Sequence, residues 1–296
     1  MKNYEHPFRT IAVATDMSEA GSSAVSYAQA ISKTYASTLI LMHVIDPLAY
    51  AFPEGAPGML TANQAARAEL TKLEDEARQH GIPVHSVLES GVVYERILQS
   101  VNDHNADLLI LGTRGKTEAG RIALGTVARQ LLARTPCPIL TVPAKSAASL
   151  PWSGGCQRVL VATDFLAASI AGLHFARRFT LKELFALHVV EHPEQREISE
   201  SQSTLRTLLS SEVSNAVPTH PVLAAGNAAD VIVEFAGRFG VDLIILGAPA
   251  EELSEEDFPS STVLQVISQV PCPVLCVPVT AESKSAHLAH HVEFVG

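Results

Sequence analysis

Short apolar runs alternate with stretches of helical periodicity along the whole chain. The runs at 11–14 and 108–111 are apolar at every position, as is typical of strands covered on both faces in a parallel sheet. In the first half we predict strands at residues 9–15, 37–45, 83–89, 106–112 and 138–142, with helices at residues 19–35, 60–80, 93–104 and 124–134.

The order of these elements indicates an α/β fold. Strands that alternate with helices through right-handed crossovers form a parallel sheet with helices on both faces. The first helix follows Asp16 and Ser18, residue types that cap helix N-termini.

The same pattern occurs twice, so the chain is one domain duplicated. Four segments of the first half recur in the same order in the second half. The matches are 10–16 with 158–164, 38–44 with 183–189, 106–112 with 241–247, and 136–143 with 271–278. We predict a first domain at 1–146, a linker at 147–157, a second domain at 158–280 and a C-terminal tail at 281–296.

Composition narrows the function classes. The net charge of -10, with no basic cluster, makes nucleic-acid binding a poor hypothesis because an acidic chain repels phosphate backbones. We expect neither a membrane helix nor a signal peptide, since no apolar run has the required length. The four cysteines form no CxxC pair, which favours a cytoplasmic protein with reduced, structural thiols.

Candidate ligand-binding residues cluster where two strands end. In a sheet of order 3-2-1-4-5, ligands bind at the carboxyl ends of strands 1 and 4. Residues 14–16 end the first strand, and Gly112 ends the fourth. Residues 125–127 begin the last helix, whose free N–H groups and positive dipole end suit a phosphate. From the glycines alone, a plain tight turn is an equally good interpretation.

Two common nucleotide motifs are excluded. A P-loop ending at 115–117 requires a glycine at position 110, which is Ile110. Residues 16–21 follow the first strand and do not match the G-x-G-x-x-G fingerprint of dinucleotide-binding domains.

The residues resemble the universal stress protein family. Gly112-x2-Gly115-x9-Gly125-Thr126 is similar to that family's ATP-binding signature G-x2-G-x9-G-[ST]. The motifs at 14–16, 43–44 and 136–143 also resemble the family, and the likeness covers nearly the whole chain twice. It implies two tandem Rossmann-like domains of the adenine nucleotide alpha hydrolase-like type, each with five parallel strands.

The resemblance also implies a pose for ATP, with Mg²⁺ left open as a companion ion. Ala14, Thr15 and Asp16 would meet the adenosine part, and the backbone of Val44 would contact the adenine. The residues expected around ribose and phosphates are Gly112, Thr113, Arg114, Gly115, Gly125, Thr126 and Val127. ATP binding is not universal in this family. Taken singly, Asp16 is better explained as a helix cap and Val44 as core, but their joint placement around one switch point favours the site.

The second copy departs from the signature. Gly247 is retained, but Ala250 and 260–261 stand where the other signature residues are expected. Carboxylates would repel a triphosphate there; they are Glu251, Glu252, Glu255, Glu256 and Asp257. Asp164 and Val189 persist at the adenosine end. We expect a second site that is degenerate for ATP, being either structural or specific for another ligand.

Three further features are hypotheses of lower weight. The histidines at 287–291 have helical spacing for a metal, but a solvated tail explains them better. The proline-rich segment 46–59 is either a lid over the adenine or a plain surface loop. The resemblance implies pairing of the last strands across a two-fold axis, so those of the two copies are expected to pair within the chain as a pseudo-dimer, and association of two chains is left open.

The leading hypothesis is a stress-response regulator that binds ATP in its first domain. Fast hydrolysis is not expected, because the site has no clear general base or metal-carboxylate set. The alternatives are an enzyme, either a slow ATPase or a nucleotide-activating ligase-type domain, and a nucleotide-independent scaffold that binds another small ligand.

Overall fold

The computed structural model describes residues 8–50, 58–113, 124–144, 156–179, 181–191, 194–212, 217–248 and 261–278. In the first copy the strands are β1 (Thr10–Ala14), β2 (Thr38–Ile45), β3 (Val84–Ser90), β4 (Leu108–Gly112) and β5 (Ile139–Val142). The helices are α1 (Glu19–Tyr35), α2 (Met59–Gln79), α3 (Val93–Asp103) and α4 (Thr126–Arg134), with a 3-10 turn at Pro47–Tyr50.

The second copy repeats this order. Its strands are β6 (Cys156–Ala162), β7 (Leu181–Val190), β8 (Thr219–Ala225), β9 (Leu243–Ala248) and β10 (Val274–Pro278). Its helices are α5 (Ala167–Ala176), α6 (Gln195–Glu212), α7 (Ala228–Phe239) and α8 (Thr262–Gln269). Cys156 already belongs to β6, so this strand begins inside the segment 147–157 that was expected to be linker.

The strands of both copies form one sheet of ten strands. Its order is β3-β2-β1-β4-β5-β10-β9-β6-β7-β8, so each copy has the predicted order 3-2-1-4-5. Neighbouring strands within a copy are parallel, as in β1 with β2 and β1 with β4. The predicted α/β fold class is therefore confirmed.

The two copies meet at β5 and β10, which pair antiparallel. Leu140 lies opposite Leu275, and the Thr141 hydroxyl donates to the Val274 carbonyl oxygen at 3.1 Å. This pairing confirms the internal pseudo-dimer. It also removes an exposed strand edge from each copy.

Both faces of the sheet are covered by helices, and each core runs through both copies. One apolar cluster lies between the sheet and α1, α2, α5 and α6, and the other lies under α3, α4, α7 and α8. Phe8 of the first copy has no exposed surface, and its ring lies 5.8 Å from Phe175 and 5.4 Å from Phe179 of the second copy. The two copies are thus joined by packing as well as by the sheet.

Candidate functional site

A cavity of about 180 Å³ opens at the carboxyl ends of β1, β2 and β4 in the first copy. It lies on the side of the sheet covered by α3 and α4, and the turn from β1 to α1 forms its rim. The lining residues are Ala14, Thr15, Asp16, Ser18, Ala20, Met42, Val44, Val93, Ile97, Leu111, Gly112, Gly125, Thr126, Val127 and Ala128. This is the point in a parallel sheet where ligands are expected.

The structure brings most of the predicted site residues together in this cavity. Those that line it are Ala14, Thr15, Asp16, Val44, Gly112, Gly125, Thr126 and Val127. Thr113 is not among the lining residues. Its backbone N–H donates to the Val142 carbonyl oxygen at 2.9 Å, and its hydroxyl lies 3.4 Å from the same oxygen. Arg114 and Gly115 lie outside the described residues.

The apolar wall contains residues that the sequence reasoning missed. Met42 is two positions before Val44 on β2, so both side chains lie on the same face of the strand. Val93 and Ile97 are four residues apart on α3 and therefore share one face of that helix. The two-residue period of a strand around Val44 would have found Met42, whereas the place of Val93 and Ile97 depends on how α3 packs across β2.

The turn after β1 is held in an unusual conformation. Met17 has a φ of 63°, a backbone angle that residues other than glycine adopt only at a cost in free energy. The Asp16 carboxylate accepts the Ser18 N–H at 3.0 Å, and the Thr15 hydroxyl oxygen accepts the Met17 N–H at 3.1 Å. These bonds are the local turns that Asp and Thr favour, and they hold Thr15 and Asp16 at the cavity.

His43 supports this turn from the opposite face of β2. Its Nδ1 lies 2.8 Å from the Thr15 carbonyl oxygen. Because a carbonyl can only accept, Nδ1 carries the proton in this contact. His188 makes the same contact with Thr163 in the second copy, also at 2.8 Å. Each histidine therefore positions the backbone just after the first strand of its own copy.

Gly112 is a glycine for a reason other than ligand approach. A Cβ atom at this position would lie 2.4 Å from the Ala20 carbonyl oxygen at the start of α1. Gly247 has the same constraint, since its Cβ would lie 2.2 Å from the Ala168 carbonyl carbon in α5. The first signature glycine is therefore required by helix packing. This explains why the second copy retains it.

The first turn of α4 faces the cavity without a side-chain cap. Its N-cap residue is Gly125, and no side chain among the described residues accepts the leading N–H groups of the helix. Thr126, Val127 and Ala128 all line the cavity. An uncapped helix N-terminus presents N–H donors and a positive dipole end, which together suit an anion.

The corresponding helix of the second copy is capped. Ser261 precedes α8, and its side chain accepts the Leu264 N–H at 3.4 Å. Ser261 occupies the sequence position that corresponds to Thr126. The remaining departures from the signature in this copy, at Ala250, Ser260 and the acidic segment, lie outside the described residues.

Other chemistry is not evident in the described part of the chain. All four cysteines are free and buried there, and burial raises the thiol pKa of Cys137, Cys272 and Cys276 to about 12. Within the same residues there is no cluster of His, Cys, Asp or Glu able to hold a metal. No described helix combines the length and apolar character needed to span a membrane. The tail histidines lie outside these ranges.

Comparisons with known proteins agree with the duplicated architecture. Universal stress protein MJ0531 of Methanocaldococcus jannaschii is 28% identical over 146 residues, covering 48% of this chain and 86% of its own length. A universal stress protein of Thermus aquaticus is 31% identical over 136 residues, covering 46% of this chain and 98% of its own. The crystal structure of a universal stress protein from Archaeoglobus fulgidus superposes with a TM-score of 0.74 at 18% identity, covering 92% of this chain and 98% of that one.

The family profile matches each copy separately. It describes the universal stress protein family and matches residues 7–143 and 155–278, which together are most of the chain. The chain therefore belongs to the universal stress protein family, whose domain it contains twice.

Proposed function

We propose that this protein is a stress-response regulator that binds ATP in its first copy. The observation that carries the proposal is one cavity lined both by an apolar wall and by the uncapped N-terminus of α4. An apolar wall suits a purine base, and a helix N-terminus suits a phosphate group.

The residues present fit the two parts of this ligand. Met42, Val44, Val93 and Ile97 would enclose the adenine, while Thr15 and Asp16 would supply polar contacts to the nucleoside. The cavity is smaller than the roughly 300–1,000 Å³ of drug-sized pockets. We therefore place the nucleoside inside it and the phosphates at its mouth, near Gly125.

The lining supports ligand binding rather than rapid turnover. Asp16 is the only carboxylate among the lining residues that the structure describes. Its Oδ1 atom accepts hydrogen bonds from the N–H and the hydroxyl of Ser18, so it already serves the start of α1. A carboxylate that acts as general base must be free to take a proton from the attacking water. We therefore propose a regulator that responds to the bound nucleotide.

Titration calorimetry of ATP against the full chain tests this proposal. We expect one site per chain, because the N-terminus of α8 is already capped by Ser261. Two equal sites would contradict the asymmetry, and no binding would contradict the proposed function. Phosphate release above background with excess ATP would favour the slow ATPase instead.

A matched pair of variants locates the site. Ala14→Leu places a larger side chain in the cavity and should weaken ATP binding about 10- to 100-fold, the scale of an overpacking penalty. Ala162→Leu makes the same change at the corresponding strand end of the second copy. It should leave ATP affinity unchanged, and an equal loss in both variants would contradict a site in the first copy.

A further inference from the structure

The two copies differ at several positions in the turn after their first strands, among them Ser18 and Leu166, and also at the helix position beneath that turn. Residue 21 in the first copy is glycine, and the corresponding residue in the second copy is Ser169. Both positions lie in the first turn of the following helix, next to the threonine and aspartate that end the strand. In the first copy, Thr15 and Asp16 line the cavity.

Ser169 is fully engaged with this threonine and aspartate. Its hydroxyl oxygen lies 2.7 Å from the Asp164 carboxylate, 2.9 Å from the Thr163 hydroxyl and 3.3 Å from the Asp164 N–H. A serine hydroxyl has one proton, and a carboxylate can only accept. The Leu166 carbonyl oxygen, 3.0 Å from the same hydroxyl, also can only accept. With the Ser169 proton on either of these acceptors, the Thr163 hydroxyl donates to Ser169. The Thr163 donor is then used inside the protein.

The Thr15 hydroxyl differs from that of Thr163 in its hydrogen bonds. Only 6% of the residue is exposed, and within the described residues its hydroxyl oxygen accepts the Met17 N–H at 3.1 Å. No described residue accepts the proton of this hydroxyl. A donor that is nearly buried and borders a cavity has its natural acceptor in whatever fills the cavity.

Gly21 leaves room for the Thr15 hydroxyl and gives its proton no acceptor. A Cβ atom at position 21 would lie 2.5 Å from the Thr15 hydroxyl oxygen and 2.8 Å from Asp16 Oδ1. Any side chain there would have to displace those two groups. A serine could in addition accept the Thr15 proton, as Ser169 does in the second copy.

We propose that residues 21 and 169 determine whether the threonine of each copy can donate to a ligand. Gly21 leaves the Thr15 hydroxyl available to an acceptor on a nucleoside, such as a ring nitrogen or a ribose oxygen, whereas Ser169 occupies Thr163. This proposal rests on the function proposed above. It makes Gly21 a positioning residue that acts through Thr15, outside the glycine signature.

The decisive experiment measures adenosine and ATP affinity in the full chain carrying Gly21→Ser. Both affinities should fall by a similar factor of about ten or more, because the lost contact is to the nucleoside that the two ligands share. Ser169→Gly is the matched control. It should leave both affinities unchanged while lowering Tm by a few degrees, since it removes the hydrogen bonds of Ser169.

A second variant keeps the test decisive if Gly21→Ser folds poorly. Thr15→Val removes the hydroxyl but keeps the shape of the side chain, and should weaken adenosine about five- to tenfold. In a Thr15→Val background, Gly21→Ser should cost less affinity than it does in the wild type, because the hydroxyl it captures is already absent.

The outcomes separate this proposal from the proposed function. If the wild type binds neither adenosine nor ATP, the proposed function itself fails. If the wild type binds both, but a folded Gly21→Ser or Thr15→Val variant binds them equally well, the role of position 21 is overturned. Fully additive losses in the double variant would also overturn it.

Discussion

The two copies share a fold but differ in which hydrogen-bonding groups their loops and helix ends leave available to a ligand. Both retain the aspartate after the first strand and a residue with positive φ next to it, Met17 at 63° and Phe165 at 65°. Both retain the glycine that ends the fourth strand, Gly112 or Gly247. The copies differ in where hydroxyl groups accept backbone N–H groups: Ser169 and Ser261 do so in the second copy, whereas Ser18 caps α1 in the first.

This comparison separates residues required by the fold from residues available to a ligand. A feature that both copies retain does not by itself indicate a ligand, because packing or turn geometry also requires such features. A feature found only in the first copy is the better candidate for binding. By this criterion Gly112 belongs to the fold, whereas Gly125 and Gly21 belong to the site.

The largest effect is expected from adding a methyl group at the shared glycine. Gly112→Ala and Gly247→Ala should each lower the free energy of unfolding by about 3 kcal/mol, because the new Cβ meets helix backbone that cannot give way. Urea unfolding of both variants measures this. If Gly112→Ala lost ATP affinity without losing stability, the glycine would belong to the site after all.

The next effect concerns pH and the buried thiols. Burial raises the pKa of Cys276 from 9.0 to about 12, so between these values the folded state holds a proton that the unfolded state releases. The contribution of the protonated thiol to the free energy of unfolding is therefore complete below about pH 9. It is lost as the pH rises toward 12, by about 1.4 kcal/mol per pH unit for each such thiol.

A substitution taken from the other copy isolates the contribution of Cys276 to the pH dependence of stability. Thr141 occupies the position in β5 that corresponds to Cys276 in β10. Cys276→Thr should reduce the slope of stability against pH above pH 9, as measured by thermal unfolding at a series of pH values. An unchanged slope would mean that Cys276 ionises equally in the folded and unfolded states.

The smallest effect on stability is expected at the caps of the last helices. Ser261→Ala should lower the free energy of unfolding by about 1 kcal/mol without changing ATP affinity, because it removes a cap from α8. Gly125→Ser should raise stability by a few tenths of a kcal/mol, yet weaken ATP about tenfold by capping α4. Thermal unfolding and calorimetry on the same samples measure both quantities.

Opposite signs in stability and affinity at Gly125 would support the distinction between the copies. If Gly125→Ser left ATP affinity unchanged, the uncapped N-terminus of α4 would not contribute to ATP binding. Adenosine is the internal control, because it has no phosphate and should bind the Gly125→Ser variant as it binds the wild type.

Much of the fold was predictable because its signals are local. Apolar runs such as 108–111 identified strands buried on both faces, and the repeat identified the duplication. The first helix begins at Glu19 after the predicted Ser18 cap, whose side chain accepts the Gly21 N–H at 3.2 Å. Residue periodicity and capping chemistry act over a few positions, so they can be read directly from the sequence.

The site was predictable in part. The positions of Ala14, Thr15 and Asp16 followed from a strand end and that of Val44 from the family resemblance, and all four line one cavity. The apolar wall from α3 was missed because Val93 and Ile97 look like ordinary core positions in the sequence. Their place at the cavity depends on how α3 packs across β2, which no local pattern shows.

The sequence by itself determined the duplicated α/β architecture, the strand order and the neighbourhood of the site. Only the tertiary structure decided why particular residues stand there. Gly112 is required by the backbone of Ala20, and Gly21 by the hydroxyl of Thr15. The physical reason is that steric and hydrogen-bonding demands arise between atoms brought together by folding, whereas hydrophobic periodicity is a property of neighbouring residues along the chain.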